Sequence, residues 1–314
     1  MPIAEPTVER FPHPAAAYLA ATRPPFILAT VVPIILGLAW TAWTGHAIDP
    51  LSAVITLLAG VLLHAAVNVL NDYYDDLNGT DNLNDERIFP FTGGSRFIQN
   101  GVLSRRQVLR FGIGLILGVV LLGLWLINET GATLLWLGLF GLVLGWGYSA
   151  PPLNLNSRGL GELAVLAGFS LLPLGAALVQ TGELDWQLVL VSLPVGLLTA
   201  NLLYINQFPD RKADIQAGKL HWVARLEPRT ARWGYVLIAV LAWGLFLGLI
   251  ATGVLPPLAL IALPPAVLSY RAARILLAHP DQPARLAPAI PMTILAMLTH
   301  GALLSLALVI EALV

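Results

Sequence analysis

Between positions 64 and 81 the sequence HAAVNVLNDYYDDLNGTD turns from apolar to amide and carboxylate within a few residues. His64, Asn68, Asn71, Asp72, Asp75 and Gly79 recur at helical spacing, so a helix through this stretch carries them on one face. That face cannot point at lipid. An aspartate at the centre of a membrane helix costs roughly 2.5 to 3.5 kcal/mol, so a cluster of them needs water and a cation, or a place at the membrane surface. Carboxylates and amides are hard oxygen ligands. They suit Mg2+, which takes one or two carboxylates and fills its octahedron with water and substrate phosphate. The expectation is a Mg-diphosphate site at a membrane face, and the plain alternative is a solvated acidic loop after a span.

A second acidic cluster, NQFPDRKADIQAGK, occupies 206–219, where Asp210 and Asp214 share a helical face with Lys212 and Lys219 nearby. Two aspartate clusters facing each other can hold Mg2+ on both sides of one diphosphate while bases neutralise its other oxygens. Such a clamp eases departure of the diphosphate, on which negative charge grows as the C–O bond breaks. Candidate bases are Arg23, Arg87, Arg96, Arg158, Lys212 and Lys219. Taken singly, each is better explained by topology signalling or lipid headgroup contact. Asp72, Asp75, Asp210 and Asp214 differ, because carboxylates at helix ends bring no structural benefit without a ligand.

Tyr73, Tyr74, Trp146, Tyr148, Tyr204, Phe208 and Trp222 stand beside the motifs. Their ring faces can stabilise a carbocation, although aromatics also gather at membrane interfaces. His64 and His300 lie in apolar stretches, where an interhelical hydrogen bond is the commoner role; His64 alone shares the face of Asn68 and Asp72. There is no GxxxxGK[ST] phosphate loop and no HExxH zinc motif. With no cysteine, thiolate nucleophiles, disulfides and sulfur ligands for zinc or iron are excluded.

These residues must be positioned by membrane helices. Of 314 residues 57% are hydrophobic and 11% charged, against about 25% charged in ordinary soluble domains. Apolar runs of spanning length fall at 24–44, 51–74, 107–127, 132–149, 160–181, 187–208, 232–252, 254–271 and 289–311, which predicts roughly nine helices. Pro256-Pro257 and Pro264-Pro265 are expected to break or re-aim the eighth. The first twenty residues lack the pattern of a cleaved signal peptide, so a short surface segment is expected there. With nine spans, all 17 lysines and arginines lie on one side, which the positive-inside rule makes cytoplasmic, with the N-terminus inside and the C-terminus outside. Two long polar loops, 76–106 and 209–231, then share the cytoplasmic side. Each acidic cluster follows an even-numbered span with four helices between them. This suggests one domain over 1–314, built of two four-helix halves at about 24–149 and 160–271 plus a ninth helix, with the motifs meeting across a central cavity.

The motif NVLNDYYDDLNGTD resembles the first aspartate motif of the UbiA superfamily of membrane prenyltransferases. Asn206-Gln207, Asp210, Asp214, Gly218 and Lys219 are similar to its second. RPPFILATVVPIILG at 23–37, TGGSRFIQNGVLSRRQ at 92–107 and YSAPPLNLNSRGLGE at 148–162 look like segments of the branch that prenylates 1,4-dihydroxy-2-naphthoate in menaquinone synthesis. The resemblance implies an all-α, polytopic protein, about nine helices in a ring around a central cavity with a cytoplasmic cap, in the cell inner membrane. It implies Mg2+ and a polyprenyl diphosphate under the cap, an aromatic acceptor as second substrate, the lipid bilayer as surroundings and no nucleic-acid partner. By position, Asn68, Asn71, Asp72, Asp75, Asp210 and Asp214 would bind the Mg-diphosphate, with Asp81 in support. Arg23, Arg158 and Lys219 would contact phosphate, with Arg87, Arg96, Tyr148, Asn206 and Lys212 as further substrate-binding candidates. The chain departs from that branch at Pro209, where an arginine is usual, and the pair Arg211-Lys212 follows instead. Acceptors other than the naphthoate (4-hydroxybenzoate, another naphthoate, a glycerol phosphate) stay open, as does an ion-coupled transporter with its acids near the midplane.

Overall fold

The computed structural model describes residues 4–314 and is helical, with no strand among them. Nine helices among these residues are long and apolar enough to cross a membrane: Pro24–Trp43, Pro50–Asn78, Arg105–Thr130, Ala132–Ser149, Gly161–Thr181, Trp186–Gln216, Pro228–Ala251, Pro257–Ala278 and Pro283–Leu313. They are spans one to nine below. The eighth opens as a 3-10 turn, Pro257–Ala262, and becomes an α-helix only at Ala266–Ala278, after Pro264-Pro265. Two proline pairs remove amide donors there, as the sequence leads one to expect.

Helix starts and stops are encoded locally. Asp49 caps the second span by accepting from the Ser52 amide at 2.8 Å, with Pro50 in its first turn, and Gly79 ends the span at φ +86°. Ser104 and Gln107 form a reciprocal cap on the third span. Asp185 caps the sixth through the Gln187 amide at 2.8 Å, and the Trp40 indole donates to its other oxygen at 2.7 Å, tying the end of span one to the start of span six.

The two longest unbroken α-helices, spans two and six, are longer than the membrane needs. The second has 29 residues and the sixth 31, about 43 and 46 Å at 1.5 Å per residue, against a hydrocarbon core of about 30 Å. Their polar ends therefore project. The expected start of the second polar loop at residue 209 is corrected here: the sixth helix continues through Pro209 to Gln216, so Asp210 and Asp214 stand on one helical face, as their spacing led one to expect. A proline in a helix costs one hydrogen bond, and the turns on either side of Pro209 carry the helix past it.

Each span packs on the next in sequence, and span nine closes on span one, forming a ring. One arc is solid. Leu36 and Trp40 of span one, Leu174 of span five, Val191 and Val195 of span six, Phe246 of span seven, and Leu304 and Leu308 of span nine share one buried cluster. Small residues permit close approach: a Cβ at Gly37 would stand 2.3 Å from the Pro173 carbonyl oxygen, and one at Gly196 2.8 Å from that of Leu166. The other arc, spans one to five, is open inside, around a cavity of about 500 Å³ walled by leucine, valine, glycine and a few polar groups. The polar loop after the second span folds over the ring with a short helix, Thr80–Leu83. The Glu5 carboxylate straps the N-terminal segment to that loop, accepting from Arg87 at 2.7 Å and Asn100 at 3.1 Å.

Candidate active site

The projecting ends of spans two and six meet. Lys219, just past the end of span six, donates to Asp75 Oδ2 at 3.0 Å and Oδ1 at 3.2 Å, and its Nζ lies 3.7 Å from Asp214 Oδ1. Asp210 accepts from the Asn84 amide at 2.5 Å, so the first polar loop also reaches the second motif. Asp72 accepts from the Ser95 backbone N–H at 3.1 Å. Asn71 donates to Asp75 at 3.1 Å and to Ser149 at 2.8 Å, and Asn68 donates to the Thr22 carbonyl at 3.0 Å. Asp72, Asp75, Asp81 and Asp214 are buried. Asp76 plays another part, pairing with Arg105 and holding the third span to the second.

The electrostatics of this mouth are unbalanced. Burial and the neighbouring carboxylates of Asp75 and Asp72 push the Asp81 carboxyl well above the usual carboxylate range. Burial works against the charge on Lys219, but Asp75 and Asp214 outweigh it and hold the ammonium well above its ordinary value. Asp81 Oδ2, Asp214 Oδ1 and Asn206 Oδ1 are buried acceptors without a hydrogen-bond partner. Orphaned hard oxygens crowded among carboxylates suit a hard cation. Among the described residues no three acidic or imidazole groups converge closely enough to hold a metal unaided. Mg2+ fits that arrangement, because it takes few protein ligands and draws the rest from phosphate and water.

The expected bases separate into groups. Lys219 is central. Arg96 is buried and donates to the Asp81 backbone carbonyl, and Arg87 is engaged by Glu5 and the Asn84 carbonyl. Arg23, in the left-handed region at φ 58°, donates to the Pro90 and Phe91 carbonyls at 3.1 Å each and lies over the Phe26 ring, tethering the loop to span one. Arg158 is exposed, donating to the Pro152 carbonyl at 2.8 Å, and Lys212 is exposed beside Glu86 at 2.5 Å. Of the aromatic candidates, Tyr148 lines the cavity. Tyr204 and Phe208 are core residues, the Tyr204 hydroxyl donating to the Ala231 carbonyl at 2.7 Å, while Trp146 and Trp222 are exposed.

His221 escaped the sequence reading. Its Nδ1 accepts the Ala224 amide at 3.1 Å, which leaves Nε2–H to donate to Asp214 Oδ2 at 2.8 Å. The signal was a histidine at the cap position of a short helix, Trp222–Arg225, two residues after Lys219. Ser95 and Asn84 carried no comparable signal, since each contacts its aspartate through loop geometry.

These features define a polytopic helical membrane protein with an acidic cluster that starts one helical turn beyond Asn68 in the wall of an apolar cavity. The chain belongs to the UbiA prenyltransferase family, whose model matches residues 30–306. It is 32% identical over 223 residues to the 1,4-dihydroxy-2-naphthoate octaprenyltransferase of Escherichia coli, covering 69% of this chain and 70% of that one. Among solved structures, a digeranylgeranylglyceryl phosphate synthase matches with a TM-score of 0.64 at 18% identity, over 95% of this chain and 98% of that one. A UbiA homologue from Archaeoglobus fulgidus, bound to GPP and Mg2+, matches with a TM-score of 0.57 at 16% identity, over 92% and 99%. At those identities the structural likeness speaks to the fold.

Proposed function

We propose that the chain transfers a polyprenyl group from polyprenyl diphosphate to an aromatic acceptor, 1,4-dihydroxy-2-naphthoate, in menaquinone synthesis. The observation that carries this reading is Lys219 held between Asp75 and Asp214, with Asp75 about two turns along span two from Asn68 in the wall of a hydrocarbon-lined cavity. Two acidic helix ends joined by one cation form a receptacle for a diphosphate with its metal, and the cavity beneath suits an apolar chain. The naphthoate enzyme of Escherichia coli supports the choice of acceptor.

Asp72, Asp75, Asp210 and Asp214 would hold Mg2+ on the diphosphate, and Lys219 would contact the phosphate oxygens. When bound, the metal supplies charge stabilisation to the leaving diphosphate. Asn71 and His221 hold Asp75 and Asp214 in place, and Asn68 stands one turn below Asp72. Tyr148 presents its ring to the cavity where allylic cation character develops. The acceptor ring attacks that carbon to form the C–C bond, and with a naphthoate acceptor CO2 is lost. The one-sided distribution of bases supports a cytoplasmic cap and N-terminus and an external C-terminus in the inner membrane. An ion-coupled transporter fits less well, because the acids stand at projecting helix ends and not near a midplane.

The test is to incubate purified protein with Mg2+, a radiolabelled polyprenyl diphosphate and a panel of aromatic acids. A prenylated naphthalene product that disappears with excess EDTA is the expected result. Full turnover in EDTA would remove the metal clamp, and no product with any aromatic acid would remove the reaction.

A further inference from the structure

The cavity wall is apolar except for a few polar groups, and one of these is not part of the acidic mouth. His64 lies two turns below Asp72 on span two, about 12 Å deeper along the helix at 1.5 Å per residue. Its Nδ1 is 2.7 Å from Thr30 Oγ1 of span one, and its ring stands edge-on to Phe169 of span five, centroids 5.6 Å apart. Three spans thus fix its position. The interhelical hydrogen bond expected of a membrane histidine is present, but it uses only one ring nitrogen.

The other nitrogen is left over. Thr30 Oγ1 has no partner besides His64 among the described residues, and in either tautomer the pair leaves Nε2 free: as an N–H donor when the hydroxyl donates to Nδ1, as an acceptor when Nδ1–H donates to the hydroxyl. Among the described residues Nε2 bonds to nothing in the protein, yet it is not sealed among the fully buried orphan atoms; His64 and Thr30 both line the cavity. His300 is the contrast. Its Nδ1 meets the Ala262 carbonyl at 2.9 Å, its ring is packed between Trp243 and Phe246, and its Nε2 is closed off. A polar ring nitrogen aimed into an apolar cavity is costly until something there hydrogen-bonds to it. A prenyl chain is hydrocarbon and cannot. The hydroxyl of an aromatic co-substrate, donor and acceptor both, can.

We propose that the His64–Thr30 pair is the acceptor-positioning site: His64 Nε2 hydrogen-bonds a ring hydroxyl of the aromatic acceptor and sets which ring carbon faces the prenyl group. This rests on the prenyl-transfer reading above. A hydroxyl fits better than a carboxylate, because one neutral hydrogen-bonding group deep in an apolar cavity does not compensate the burial of a full charge. The acceptor's carboxylate is then left toward the polar end of the cavity, near Asn68. The pair thereby selects acceptors that carry a hydroxyl beside the reacting carbon.

The experiment measures KM for acceptor and for polyprenyl diphosphate separately in the wild type, His64→Phe, His64→Gln and Thr30→Val. The acceptors are 1,4-dihydroxy-2-naphthoate, its singly deoxygenated analogues and its decarboxylated analogue. His64→Phe is expected to raise the acceptor KM about 10-fold, the size of one lost hydrogen bond, while leaving the diphosphate KM within about twofold. His64→Gln, which keeps a donor, should recover part of the loss, and Thr30→Val should lose less than His64→Phe. One deoxygenated analogue should be penalised about 10-fold by the wild type and not at all by His64→Phe, since enzyme and substrate changes remove the same bond. Unchanged acceptor KM in His64→Phe, or an equal rise for every analogue, overturns the proposal; so does a penalty cancelled by removing the carboxylate. If His64→Phe fails to fold, Thr30→Val decides by the same analogue comparison. Wild-type protein that prenylates no aromatic acid fails the reading of the function, whereas product formed with unaltered kinetics in the variants fails this site alone.

Discussion

Lys219 is the residue on which the acidic mouth balances. Its ammonium stands between Asp75 and Asp214, carboxylates 139 positions apart in the chain, and among the described residues no other cation does the same. Lys219→Met should leave two buried carboxylates facing each other. Loss of one partner from a buried pair costs about 3 kcal/mol or more, so the metal-free protein should melt lower in detergent, and added Mn2+ should narrow the gap to wild type by binding the folded form. Melting unchanged by the substitution in metal-free buffer would show that the lysine does not join the two motifs. At this scale residue type alone singled out the four aspartates near helix ends, and the structure brings Asp75 and Asp214 to one lysine. It was illegible where contacts depend on loop path. Arg23 tethers carbonyls at positions 90 and 91, and His221 reaches Asp214 only because the chain turns back after Gly218, which sits at φ +77°.

At the scale of elements, the spans were legible because the hydrocarbon core imposes a length on apolar runs. Their polar ends were not. Apolar length ends the sixth run at 208, with a polar loop from 209, yet the sixth helix runs through Pro209 to Gln216. Helix contacts also depend on glycines that hydropathy cannot rank. Gly37 faces the Pro173 backbone so closely that a Cβ would stand 2.3 Å from its carbonyl oxygen, whereas a Cβ at Gly138 meets nothing within 4 Å. Gly37→Ala should therefore destabilise by about 1–3 kcal/mol through overpacking, while Gly138→Ala should be neutral or stabilising by up to about 1 kcal/mol through helix propensity. Thermal unfolding in one detergent compares the two. Equal shifts would contradict the close packing of spans one and five.

The whole molecule is a ring with one solid arc and one hollow arc. Sequence could not reveal this asymmetry, because the leucines and valines that wall the cavity in spans one to five are the same residue types that fill the core which spans one and five share with spans six to nine. The division suits a two-substrate reaction in which the packed arc fixes the sixth span, and with it Asp210 and Asp214, while the hollow arc receives the chain. The orientation proposed from the distribution of bases can be tested directly. A cysteine placed at Gly182, in the short connection after span five, should react with an impermeant thiol reagent added to intact cells with the outer membrane opened, and should be protected in inverted vesicles. The reverse pattern would turn the molecule over and put the acidic mouth outside.

The central claim is that both aspartate motifs grip one diphosphate. The direct measurement is a cycle of Asp75→Asn, Asp214→Asn and the double variant, assayed for prenyl transfer at saturating Mg2+ in protein shown to be folded. Each single change should cost on the order of 10²-fold in kcat, the usual cost of losing one electrostatic stabiliser of a transition state, and the double should be little slower than the slower single. Losses that multiply, or single variants that turn over at near wild-type rates, would mean that the two helix ends act apart and that their meeting at Lys219 is packing alone.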